Sequence, residues 1–163
     1  MRLQLQGETL DLDPSGALFL PRWATDCLKR AEPALQTSTR PLALWEKQRS
    51  SMRLVAVDER AAAEGLIVGM PLADAKGLVP HLTVREIDRA YTARVFADFA
   101  DWHSNASPLV SVLTDLGEWG DLVLDITGVS HLFGGEAAML SRLMARLETL
   151  GLAVTGAIAP TIG

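Results

Sequence analysis

The stretch Asp121-Leu-Val-Leu-Asp-Ile-Thr-Gly-Val-Ser-His-Leu-Phe-Gly-Gly-Glu136 decides how this chain is read. Leu122–Ile126 has the length and apolar run of a short strand. Asp125, where the chain enters Asp-Ile-Thr-Gly, is the kind of carboxylate that bonds turn N–H groups. A period-two strand also places it on the same face as Asp121. Phe133 reads as an anchor beneath the helix that follows, and Gly134-Gly135 as the bend into it. A phosphate-cradling loop is the other reading of Leu132–Gly135, but the lysine and spacing of a Walker loop are missing.

Downstream, residues 135–150 carry Leu140, Leu143, Met144 and Leu147 on one helical face, with Gly151 as the stop. Ala153–Ala159 is a last strand. Upstream, Asp88 can cap a helix over 88–104 whose apolar positions are Tyr91, Val95, Phe99 and Trp102. Leu109–Leu113 is a strand, and so is Ala17–Leu20, stopped by Pro21. The order is strand, insert, helix, strand, strand, helix, strand. It predicts an α+β fold, a ferredoxin-like β-α-β-β-α-β unit split after its first strand. That unit takes residues 17–21 and 86–163. The insert, 22–85, is expected to be a small, mostly helical subdomain. It holds a helix at Arg22–Arg30, a hairpin from Pro41–Trp45 and Arg53–Val57, helices at Glu59–Glu64 and Pro71–Leu78, and a strand at Leu82–Arg85. Pro71 is placed in a first helical turn. Residues 1–16 are an N-terminal extension. There Leu3, Leu5, Leu10 and Leu12 alternate about Gly7 as a hairpin or frayed strand, closing at Asp13-Pro14-Ser15-Gly16.

With 163 residues, 48% hydrophobic and 21% charged, the chain can bury a core and is not disordered wholesale. No apolar run reaches the ~18 residues of a membrane span, and the N-terminus lacks a signal-peptide core. A lone cysteine, Cys27, excludes an internal disulfide, suits a reducing cytoplasm and is expected to be a small buried residue. Net charge is −5, so the chain should grip DNA weakly. The one basic concentration, Arg40, Lys47, Arg49 and Arg53, is diluted by Glu46. It is either a solvated loop or a phosphate-facing patch. His81, His103 and His131 have no metal-ligand spacing.

Residues 121–136 resemble the palm segment of Y-family (UmuC-type) translesion DNA polymerases, commonly D-E-A-Y-L-D-V-T-…-L-F-G. Arg53-Leu-Val-Ala-Val-Asp-Glu-Arg-Ala-Ala-Ala-Glu-Gly-Leu66 and Gly69-Met-Pro-Leu-Ala-Asp-Ala75 resemble the fingers, and Ala17–Asp26 the opening segment. Within that family the strings are most like those of the ImuB proteins, the polymerase-like members of bacterial mutagenesis cassettes. The resemblance extends over nearly all of 17–163, with the four strings in the right order.

The resemblance implies a metal site that this chain lacks. Setting Leu124–Thr127 on L-D-V-T places Gly120 and Asp121 at the metal-binding Asp-Glu pair. Setting Trp23-Ala24 on the end of D-x-D-x-F-[FY]-A places Leu18 at the third ligand, and no acidic residue lies between Ala17 and Thr25. In the fingers, Y-E-A-R-x-x-G fixed on Gly65 places Glu59 at the Tyr and Ala62 at the Arg that contact the triphosphate. The expectation is no catalytic, metal or nucleotide site. Mg²⁺ enters only if this is an active polymerase with rearranged ligands, one rival reading. A stand-alone or truncated interaction domain is the other.

The family implies a non-catalytic accessory role in damage-induced (SOS) mutagenesis, with weak contact to damaged DNA. It also implies a sliding clamp, a replicative-type mutagenic polymerase and an accessory protein as partners, mostly through regions beyond Gly163, and no membrane. Because relatives begin a helix where this chain stops, an uncovered apolar sheet face is also expected.

Overall fold

The computed structural model describes residues 2–5, 8–11, 13–104, 110–112, 121–125 and 130–161. In chain order its elements are β1 (Arg2–Leu5), β2 (Glu8–Asp11), β3 (Asp13–Phe19), α1 (Trp23–Ala31), α2 (Pro33–Gln36), β4 (Leu42–Gln48), β5 (Ser51–Val57), α3 (Glu59–Ala63), α4 (Leu72–Leu78) and β6 (Thr83–Glu86). They continue with α5 (Arg89–Ser104), β7 (Val110–Val112), β8 (Asp121–Asp125), a 3-10 turn at Ser130–Phe133, α6 (Glu136–Thr149) and β9 (Thr155–Thr161). None of the described helices is long and apolar enough to cross a membrane. The chain divides into two compact units, Met1–Pro21 with Val95–Gly163, and Arg22–Arg94, so the division falls within α5.

The first unit is built on an antiparallel sheet of order β7-β8-β3-β9. β7 pairs antiparallel with β8, as the hairpin expected of 109–113 and 122–126 requires. The two strands joined through α6, β8 and β9, lie on either side of β3. This is the ferredoxin-like order predicted from the sequence. β1 and β2 form the expected N-terminal hairpin.

β3 starts earlier than expected: Asp13–Gly16 is strand, not turn. The reason is tertiary. β9 pairs with all of it, from Asp13↔Thr161 to Phe19↔Thr155, and that ladder overrides the local turn composition.

Leu18 and Leu147 are fully buried in this unit, with Met139 and Leu152 close behind. Gly156, the ladder partner of Leu18, is what lets α6 approach the sheet. A Cβ there would lie 2.8 Å from Leu140 Cδ1, 3.0 Å from Met144 Sδ and 3.1 Å from Leu18 Cδ2. The bend before α6 uses Gly134 and Gly135 at φ 86° and 106°, a region that L side chains rarely adopt.

The second unit has the three expected helices and a further short one, α2, that was not expected, and at its centre a three-stranded sheet of order β5-β4-β6. β4 and β5 form the hairpin that the sequence predicts, while β6 returns parallel to β4. A parallel return needs a crossover, and here α3 and α4 provide it. β4 is buried on both faces by strand alternation. Ala43 belongs to a cluster with Leu54, Ala61, Leu66, Leu72, Ala75, Val79 and Leu82. Its neighbours Leu42 and Leu44 pack with Leu35, Ala24 and Leu28.

Pro71 is displaced from its expected place in the first turn. It is the N-cap of α4, at ψ 137°, because it bridges to Arg53 on the edge of β5. Asp88 does cap α5, its Oδ1 accepting from Tyr91 N at 2.8 Å. Trp23 Nε1 donates to Thr92 O at 3.3 Å, which ties α1 to the first turns of α5.

Cys27 is 4% exposed, and burial pushes its thiol up to about 12. The thiolate is the nucleophile, so Cys27 should resist a disulfide reagent such as DTNB in the native protein and react within seconds in denaturant. Rapid native labelling would contradict this packing.

Candidate functional site

On the palm side, Asp121 opens β8, and Gly120 lies outside the described residues. The β3–β8 ladder sets Phe19 opposite Asp121 and Leu18 opposite Leu122. Exposure alternates along β3. Leu18 and Leu20 are each 1% exposed, while Phe19 is 50% exposed and Ala17 is also open. Leu18 therefore belongs to the face under α6, with Gly156, Leu140 and Met144. It is not the residue paired with position 121.

The resemblance implies a pair of Mg²⁺ ions at this face, which need oxygen ligands at about 2.0–2.1 Å. On the open side of β3 and β9 the described, exposed residues are Ala17, Phe19, Thr155 and Ala157. One hydroxyl among them does not make a two-metal site. Among the described residues, no three His, Cys, Asp or Glu come together as a metal site. The described side chains of this face do not by themselves fit the ions.

On the fingers side, both sequence-selected residues lie on or beside the first turn of α3. Glu59 is exposed and its carboxylate meets Arg22 Nη1 at 3.2 Å. Ala62 is exposed and offers only a methyl group. Arg60 turns away and donates to the carbonyl of Ser38. Two guanidinium groups are thus engaged by protein oxygens near the place where the resemblance puts a triphosphate.

The most constrained carboxylate was not singled out from the sequence. Asp58 is 0% exposed, and its Oδ1 accepts from Ala61 N at 2.9 Å and Leu42 N at 3.1 Å. Its Oδ2 accepts from Lys29 Nζ at 2.5 Å. It caps α3, ties that helix to the start of β4, and holds α1 through the lysine. Burial alone would raise its pKa. The hydrogen bonds from Lys29, Ala61 and Leu42 outweigh burial and hold the carboxyl below its ordinary value. An Asp just before a short helical run is an N-cap signal, so the cap was legible. Its lysine partner, 29 residues away, was not.

The four basic residues do not form one patch. Lys47 and Arg49 sit exposed at the β4–β5 turn, with Arg49 at φ 57°. Arg40 precedes the far end of β4, roughly 20 Å away at about 3.3 Å per strand residue, and its Nε donates to His81 O at 2.8 Å. Arg53 is opposite Glu46 and donates to Gly69 O at 2.7 Å. Glu46 itself is held by Arg89 at 2.5 and 2.8 Å, a fork that takes its carboxyl down to about 2. The expected cluster breaks up because strand length separates its members and backbone carbonyls occupy two of them.

A ferredoxin-ordered sheet, with an α/β lobe inserted after its first strand, is the palm-and-fingers class of polymerase fold. Solved relatives bear this out. DinB from Sulfolobus solfataricus matches with a TM-score of 0.71 over 91% of this chain and 42% of that one, at 16% identity. An insertion ternary complex of Dbh DNA polymerase matches at 0.72 over 91% and 43%, also at 16% identity. Identity this low speaks for the fold alone. The profile of the impB/mucB/samB family matches residues 18–163, and the chain belongs to that family. Over 99 residues it is 43% identical to the protein ImuB of Caulobacter vibrioides strain NA1000, and equally to that of strain CB 15. That match covers 61% of this chain and only 21% of the ImuB length.

Proposed function

We propose that this chain is the palm-and-fingers portion of a non-catalytic, polymerase-shaped accessory protein that helps another polymerase copy damaged DNA. The observation that carries the reading is the phosphate end of the fingers. A triphosphate is held by fixed cations, most effectively by guanidinium groups in bidentate geometry. At this place α3 presents the Ala62 methyl and the Glu59 carboxylate, and the nearby Arg22 and Arg60 hold protein oxygens. The palm supports it too: Leu18, which the resemblance sets at a metal ligand, and Phe19, in register with Asp121, are both apolar. Likeness to ImuB supports a place in damage-induced mutagenesis. On this reading the sliding clamp, the mutagenic polymerase and an accessory protein are engaged mostly through parts of the protein outside this chain, and its own grip on DNA is weak at net charge −5.

The test is primer extension by the full-length protein on a primed template, with all four deoxynucleotides and Mg²⁺ or Mn²⁺. No product above the protein-free blank is expected over hours. Incorporation that disappears in Asp121→Ala would overturn the proposal and restore the active-polymerase reading.

A further inference from the structure

We infer that Phe19, not Leu18, is the β3 residue in register with Asp121, where a second metal-binding carboxylate would have to stand, and that this position therefore offers a metal ion no oxygen ligand. The inference rests on the palm-and-fingers reading above and deepens it. Residues directly opposite in an antiparallel ladder share a face, and a shift of one residue exchanges the faces. Here the ladder pairs Phe19 with Asp121.

Two observations fix which face each residue takes, independently of the ladder itself. Leu18 and Leu20 are each 1% exposed and Phe19 is 50% exposed, so the strand's alternation is unambiguous. Leu18 Cδ2 closes over Gly156 together with Leu140 and Met144 of α6, so a carboxylate at 18 would enter packed hydrocarbon. The other described residues of the Phe19 side, Ala17, Thr155 and Ala157, are too small to bury the ring. Electrostatics explains the lost acid: like charges directly opposite on a sheet destabilise it. Once no metal bridges the two positions, a neutral side chain opposite Asp121 is the more stable choice.

Manganese binding in the full chain tests this, measured by the EPR signal of free Mn²⁺ for wild type, Phe19→Asp, Phe19→Asn and Leu18→Asp, with thermal melts of each. Phe19→Asp should stay folded and bind Mn²⁺ about ten-fold or more tightly than Phe19→Asn, since affinity follows the charge and number of oxygen ligands. Leu18→Asp should melt at lower temperature and gain no Mn²⁺ affinity. No gain in a folded Phe19→Asp, or a folded Leu18→Asp that does gain affinity, overturns the inference. Primer extension by the wild type would sink the accessory-protein reading by itself, whereas the comparison of variants decides the role of Phe19.

Discussion

Asp58→Ala is expected to destabilise the Arg22–Arg94 unit by about 3–5 kcal/mol, the range for removing one partner of a buried ion pair. The substitution removes the α3 cap and leaves the N–H groups of Leu42 and Ala61 without their acceptor. It also strips Lys29, whose side chain is 26% exposed, of its counter-charge. Urea unfolding followed by tryptophan fluorescence should report it, since Trp23 is buried in this unit. A loss below ~1 kcal/mol would mean that water or another group replaces the carboxylate.

The effect depends on pH with a definite sign. The folded pKa of Asp58 lies below its ordinary 3.8. Its contribution is therefore fully present above about pH 4 and is lost as pH falls through the folded value. The gap between wild type and Asp58→Asn should narrow in acid. A gap that widens below pH 4 would contradict the direction of the shift. Glu46 titrates in the same sense, but its pair with Arg89 is partly exposed and screened by salt. The comparison with Asp58→Asn isolates the buried group.

Leu18→Ala should cost about 2–5 kcal/mol and Phe19→Ala no more than ~0.5 kcal/mol, although the second removes more atoms. Leu18 is 1% exposed and fills the space over Gly156, so truncation leaves a cavity beneath Leu140 and Met144. Phe19 already gives half its surface to water. Equal losses, or a larger loss at Phe19, would place the wrong residue in the core and undo the face assignment of β3.

The second half of the chain was largely legible because its signals are local. The α6 stripe of Leu140, Met144 and Leu147 needs only helical spacing, and Asp88 needs only its own cap. What failed to show were features fixed by distant partners. Asp13–Gly16 has turn composition and is strand because β9 pairs with it. β6 was recognised as a strand, but its parallel return beside β4 is set by packing of α3 and α4 between them. Arg40, Lys47, Arg49 and Arg53 are near in sequence, yet an extended strand carries Arg40 away from the turn that holds Lys47 and Arg49.

By itself the sequence determined the order of elements, the family, and the lack of any acidic residue from Ala17 to Thr25. Those depend on residue identity and spacing, which need no coordinates. Only the tertiary structure decided which of two adjacent residues, Leu18 or Phe19, belongs to the core and which stands opposite Asp121. Successive strand residues point to opposite faces, so the assignment turns on a one-residue register. That register is set by the close approach of α6 over Gly156, a contact between segments far apart in the chain.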